Sequence, residues 1–157
     1  MEQINVTDVY IERCDKESEN LLQEEGTEFL EQPIEYLNKN KNEFIYIESN
    51  EFDRLGVSGL SLEVDDIFGT YSVLLGLKQK KKVGPAIKSY LENNLHGTEG
   101  NYSLVFNQGD GLWDINFAIS YVEGFNNQSS IKDSCSLICE FLNKMIQSVE
   151  ANIQQPL

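Results

Sequence analysis

Residues 102–122 read YSLVFNQGDGLWDINFAISYV. Two apolar runs, 102–107 and 112–122, flank the linker QGDG. Asp-Gly and lone glycines tolerate positive φ, so the linker predicts a tight turn and the runs predict the two strands of a hairpin. Positions 113, 115, 117, 119 and 121 share one face of the second strand and are Trp, Ile, Phe, Ile and Tyr. So apolar a face requires a second layer, and residues 130–153 can supply it. Ile131, Cys135, Ile138, Leu142, Met145, Val149 and Ile153 fall on one helical stripe. Lys132, Glu140, Asn143, Lys144, Gln147 and Glu150 lie opposite. Ser130 with Asp133 three residues later resembles a capping box, with Asp in place of Glu. Hairpin and helix together predict an α+β fold, a mostly antiparallel sheet under a long C-terminal amphipathic helix.

Upstream, residues 4–12 (INVTDVYIE) alternate apolar and polar and predict a first strand. Ser18 can cap a helix starting near Glu19, followed by Leu21, Leu22, Phe29, Leu30, Ile34 and Leu37 at helical spacing. Gly26 and Pro33 divide that stretch into two pieces or bend it. Phe44–Glu48 reads as a strand, Asn50–Arg54 as a turn, and residues 57–64 (VSGLSLEV) as a further strand. Residues 67–78 fit either period. Thr, Tyr and Val favour a strand there, and Gly69 and Gly76 weaken a helix. Gly84-Pro85 opens a helix over 85–95, which Gly97 and Gly100 end. The resulting order is strand, helix, hairpin, twice over, then the last helix. It reads as a possible duplication of two β-α-β-β units, without identity between the halves. A groove between them would lie near Tyr71, Trp113 and Tyr121.

A chain of 157 residues with 40% apolar and 10% aromatic residues suits one domain with a real core. No apolar run reaches the roughly 20 residues a membrane helix requires. The start, MEQINVTDVYIER, has no basic region followed by an apolar one, so the expected location is the cytoplasm. Three cysteines, an odd number without a disulfide-like pattern, fit free thiols in a reducing compartment.

The net charge is −14, which argues against a nucleic-acid partner and an anionic membrane and favours a basic one. Residues 1–66 hold 18 acids and 5 bases, whereas residues 67–157 hold 8 acids and 7 bases. The acidic half is either a solvated surface or a surface that faces cations.

Catalytic motifs are weak. His96 is the only histidine, and in NNLHG it reads as a helix-end cation rather than the base of a Cys14–His96 pair. Cys135 and Cys139 are four apart on the last helix, where a core role outweighs a zinc site with Cys14 and His96. Asp65-Asp66 and Asp110 with Asp114 read as turn and cap residues. Lys78, Lys80, Lys81 and Lys82 precede a helix start, but no Gly-x-x-x-x-Gly-Lys-Ser/Thr pattern accompanies them.

The expected function is therefore a non-enzymatic acidic binding protein without metal or cofactor. It would act as an inhibitor, an immunity-type protein or a nucleic-acid mimic that masks a basic toxin, nuclease or other nucleic-acid-binding protein. Its contacts would be Glu12, Asp15, Glu17, Glu19, Glu24, Glu25, Glu28, Glu31 and Glu35. Asparagine and lysine richness points to a low-GC bacterium or its phage. Two alternatives are a small-molecule sensor or small enzyme using the groove, and a structural subunit of a larger complex.

Overall fold

The structure, a computed structural model, describes residues 9–96 and 102–154, with side chains through residue 151. Seven strands form one sheet: β1 (Tyr10–Asp15), β2 (Leu21–Glu25), β3 (Glu43–Glu48), β4 (Val57–Val64), β5 (Tyr71–Leu77), β6 (Tyr102–Asn107) and β7 (Leu112–Ala118). Their spatial order is β2-β1-β3-β4-β5-β7-β6, and every neighbouring pair is antiparallel. Four helices accompany them: α1 (Tyr36–Lys39), α2 (Asn50–Arg54), α3 (Gly84–Asn94) and α4 (Ile131–Gln154).

Alternation along the strands sorts the residues by face. Ile45, Ile47, Leu60, Leu62, Val73, Leu75, Leu77, Trp113, Ile115 and Phe117 point to one side and are buried. The helices lie on that side. Ile131, Cys135, Ile138, Leu142, Met145 and Val149 of α4 are buried in the same cluster as Phe29, Leu30, Phe52, Ile87 and Leu91. The expected stripe is thus the core face of α4, and Ile153 lies outside the described side chains. Phe141 joins the layers, with its ring 5.1 Å from that of Phe117 and 5.4 Å from that of Tyr90. The Ser130 hydroxyl accepts the Asp133 N–H at 3.0 Å and so caps the helix start.

The hairpin of residues 102–118 closes as expected. Gly111 adopts φ +68 and donates its N–H to the Asn107 carbonyl at 2.8 Å. The second strand ends earlier than its apolar run: after Ala118 the chain turns through a short 3-10 segment, Ile119–Tyr121. There the alternation fails, because Ala118 and Ile119 are both buried. Residues 67–78 contain β5 as expected, starting at Tyr71, but Ile67 and Phe68 belong to the turn before it.

Two expectations are corrected. Leu21 and Leu22 are not in a helix but begin the edge strand β2. The hairpin turn holds it there: Asp15 donates its N–H to the Asn20 carbonyl, and Ser18 donates its N–H to the Asp15 carboxylate, both at 2.8 Å. Leu21 and Leu22 are 53% and 45% exposed, so their spacing with Phe29 and Leu30 does not report a common face. Asn50–Arg54 is a helical turn rather than a plain turn. Ser49 caps it by accepting the Phe52 N–H at 3.2 Å, and Phe52 is fully buried. Of the strand expected over residues 4–12, residues 4–8 lie outside the described residues, and β1 takes up Tyr10 to Glu12 and runs on to Asp15.

Strand–helix–hairpin describes residues 71–118, where β5, α3, β6 and β7 follow in turn. The first half carries an additional edge strand, β2, and an additional helix, α2. α3 begins at Gly84 with Pro85 in its first turn and ends at Asn94, whereas Gly97 and Gly100 lie outside the described residues.

Gly84 is required by contact. A Cβ there would stand 2.5 Å from the Trp113 ring, whose indole N–H donates to the Lys80 carbonyl at 3.1 Å. Gly84→Ala gains up to about 1 kcal/mol of helix propensity. Displacing a packed indole costs about 1–3 kcal/mol. The variant is expected to unfold at lower urea than wild type, monitored by emission of Trp113, the only tryptophan.

Candidate functional site

Among the described residues no helix covers the other sheet face. Tyr10, Glu12 and the buried Cys14 of β1 lie there, with Phe44, Tyr46 and Glu48 opposite them on β3. Ser61 and Glu63 of β4, Ser72 and Leu74 of β5, Asp114 and Asn116 of β7, and Ser103 and Val105 of β6 continue the surface. Phe44, Tyr46, Leu74 and Val105 take no part in the core cluster. Glu24 on β2 stands directly across from Glu12. The Tyr10 hydroxyl lies between the two carboxylates, 2.9 Å from Glu24, with one proton to donate, and the Tyr46 hydroxyl donates to Glu48 at 2.6 Å. Burial, followed by that bond to Glu48, pushes the Tyr46 hydroxyl up to about 12, so it stays a donor at neutral pH. The strand positions of this face thus carry Glu12, Glu24, Glu48, Glu63 and Asp114 and, among the described residues, no lysine or arginine.

The surface continues over one end of the sheet. β1 and β4 run in the same direction, both antiparallel to β3, so the β1–β2 and β4–β5 turns project from the same end. Lys16 links the two turns, with its ammonium 3.5 Å from the Asp66 carboxylate and bonded to the Val64 carbonyl. Asp15, Glu17 and Glu19 sit at the first turn, and Asp65 and Asp66 at the second. Hydrogen bonds from the Ser18 backbone hold the Asp15 carboxyl below the usual carboxylate range, so it is anionic at neutral pH. Glu19 adopts φ +66, a left-handed conformation that an L side chain pays for by about 1–2 kcal/mol.

At the second turn Ile67 and Phe68 are 83% and 76% exposed. Their exposure is built in. The Asp65 carboxylate accepts the N–H groups of Ile67 and Phe68 at 2.8 and 2.9 Å, and Asp65 bonds Gly69 and Thr70 through its backbone. The backbone is thereby held by an Asx turn with both side chains outward. The exposed Leu21 and Leu22 open β2 at the same end. Four large apolar side chains thus stand exposed among carboxylates at this end of the sheet.

The nine acids expected to form the contact do not gather into one patch. Glu12 and Glu24 share the open face, and Asp15, Glu17 and Glu19 reach the end described above. Glu25 instead faces Arg13, 3.5 Å away, on the core side of β1, where Arg13 also meets Glu43. Glu28, Glu31 and Glu35 lie on the connection that packs Phe29, Leu30 and Ile34 beneath α4, and Glu35 pairs with Lys39 at 3.7 Å. That connection is pinned to the start of α4, since Ile131 donates to the Gln32 carbonyl and Ile34 to the Ser129 carbonyl, both at 2.8 Å. The period-two pattern of residues 67–78 places Ile67 and Phe68 in a strand, whereas they lie in the turn before β5. The sequence signal was DDIFG, where a turn-forming Asp and a Gly bracket two apolar residues.

Tyr71, Trp113 and Tyr121 do not share a groove. The sheet is continuous across the midpoint of the chain, where Val64 pairs with Tyr71 and Val57 with Leu77. Tyr71 is buried beside Phe125 at one end of β5, and Trp113 is buried against Phe106 at the other. Tyr121 is half-buried in the 3-10 segment. A cleft of about 600 Å³ lies elsewhere, lined by Tyr90, His96, Val122, Glu123, Phe141 and Lys144 among others. His96 is exposed there and donates its backbone N–H to the Tyr121 carbonyl at 2.8 Å. Cys135 is fully buried, and burial pushes its thiol up to about 12. Among the described residues no three His, Cys, Asp or Glu side chains converge as metal ligands would.

Glu63 is half-buried among the side chains of this face. Burial raises its carboxyl above the usual range, and Asp66 and Asp65 add to the rise against Lys16. A carboxyl raised by folding binds protons more tightly in the native state, so stability falls as pH climbs from the ordinary carboxylate range through the raised value. Glu63→Gln is therefore expected to have a higher Tm than wild type at pH 7. The gain should shrink as pH falls into the carboxylate range, as followed by thermal melts across pH. No family model matches the chain, and neither a curated protein nor a solved structure matches it.

Proposed function

We propose that the protein is a non-enzymatic acidic binder that masks a basic protein surface. Inhibitors, immunity-type proteins and nucleic-acid mimics work by this physics, placing carboxylates where phosphates would lie. The observation that carries the reading is the Ile67–Phe68 pair, held outward by Asp65 at the end of the sheet where Asp15, Glu17, Glu19 and Asp66 also lie. The acids steer and orient, while the aromatic tip fills a recess and slows release. Glu12, Glu24 and Glu48 extend the anionic surface along the open face. A basic toxin, nuclease or other nucleic-acid-binding protein of a reducing, cytoplasmic setting has the complementary chemistry.

Affinity capture from the extract of the protein's own cells tests this. A basic partner is expected, eluting as salt rises from about 0.1 to 1 M, a range over which the Debye length falls from about 10 to 3 Å. Phe68→Ser should keep stability within about 0.5 kcal/mol because the ring is exposed. It should nevertheless weaken capture at least tenfold, and Asp66→Lys should weaken it through the association rate. A partner held equally by both variants and at high salt would refute the reading.

A second reading, a small-ligand protein, is favoured by the cleft around Tyr90, His96 and Phe141, whose volume lies in the range of ligand sites. It predicts a Tm increase with a metabolite in a thermal-shift screen, abolished by Phe141→Ala or by His96→Ala. An acidic binder of proteins gives no such shift.

A further inference from the structure

Among the described residues the two edges of the sheet, β2 and β6, are built differently. β2 is guarded: its pairing with β1 shifts register between Arg13 and Cys14, and Glu24 and Glu25 occupy its end. Bulges and charges of this kind discourage strand addition. β6 has neither. Tyr102–Asn107 reads YSLVFN, without charge or proline, and pairs with β7 in unbroken register over its whole length. Val105 is 57% exposed on its outward row. An uncharged, regular edge is a template for another strand.

Charge selects the occupant. Two copies at −14 each repel, unless they meet where charge is sparse. Residues 1–66, net −13, build β1 to β4, whereas residues 67–157 carry net −1. The strand order puts β6 at the opposite edge from β2. Six strand spacings separate them by about 29 Å. That is more than three Debye lengths at physiological salt, about 8 Å each. Pairing through β2 would instead set Glu24 and Glu25 against the same strand of another copy.

We infer that β6 is a self-association edge, at which a second copy of this chain adds its own β6 in antiparallel fashion. A two-fold axis normal to the sheet keeps both helical layers on one side and continues the open face across the joint. The acidic ends then lie at the two extremities of a fourteen-stranded sheet. One strand pair is a small interface, so the association belongs to the weak, transient class.

Light scattering coupled to size exclusion tests this on the full chain, loaded at about 100 μM and again at about 1 μM. Twice the chain mass of 17.9 kDa is expected at the higher concentration, with a fall toward the single mass on dilution. Val105→Lys, a change on an exposed position, should weaken dimerisation at least tenfold with an unchanged circular dichroism spectrum. Ser103→Glu, on the same row, does the same if Val105→Lys fails to fold. Leu22→Lys, at the guarded edge, should leave the dimer intact. A single mass at 100 μM, a dimer that survives the folded β6 variant, or a dimer abolished by Leu22→Lys each overturns the inference.

Discussion

The packing of α4 against one side of the sheet is the constraint from which the rest of the structure follows. A helix of 24 residues is about 36 Å long, enough to cross several strands. Its apolar stripe meets Phe117 and the neighbouring inward row, with Phe141 as the shared ring between sheet and α3. Each fully buried Leu or Ile in that seam contributes about 1.5–3 kcal/mol of transfer free energy. The connection of residues 27–34 is pinned to the start of α4, so the same contact also seals the first half of the chain. No second helical layer exists among the described residues to cover the opposite face.

That asymmetry explains where the carboxylates can be. An ionised group is costly to bury, so the core side keeps carboxylates only where they are answered, as Glu25 and Glu43 are by Arg13. The open face accepts Glu12, Glu24, Glu48 and Asp114, which water or tyrosine hydroxyls solvate, and holds Glu63 half-buried with its carboxyl raised. Like charges then stand across from one another, as Glu12 and Glu24 do, and the Tyr10 hydroxyl bridging them offsets part of that repulsion. The result is a surface with a strong field and aromatic content, continuous with the turn that displays Phe68.

The elements legible in the sequence were those whose periodicity was enforced over many residues. The stripe of α4, the alternation of residues 57–64 and the Gly-containing turn before Leu112 each repeat a local rule several times. The failures lie where one or two residues decide. Leu21 and Leu22 fit a helical spacing with Phe29, yet the hydrogen bonds of the Asp15–Asn20 turn make them an edge strand. Ser49 turned an apparent loop into a capped helical turn around Phe52. Ile67 and Phe68 look like the start of a strand until the Asp65 carboxylate is seen to hold their N–H groups. For the surface the same holds: nine acids in one stretch look like a single patch, but the strand crossover divides them between the open face, the end of the sheet and the helical side.

By itself, the sequence determined the α+β class, the antiparallel hairpin, the capped amphipathic helix and the segregation of charge into the first 66 residues. These follow from short-range chemistry, in which side-chain period, turn residues and net charge are written locally. The tertiary structure alone decided which acids share a surface, which aromatics are core and which are displayed, and that the two sheet edges differ. Those outcomes depend on strand order and on which face α4 covers. Both are settled by packing between residues nearly a hundred positions apart, as in the bond from Ile131 to Gln32, and no local pattern records them.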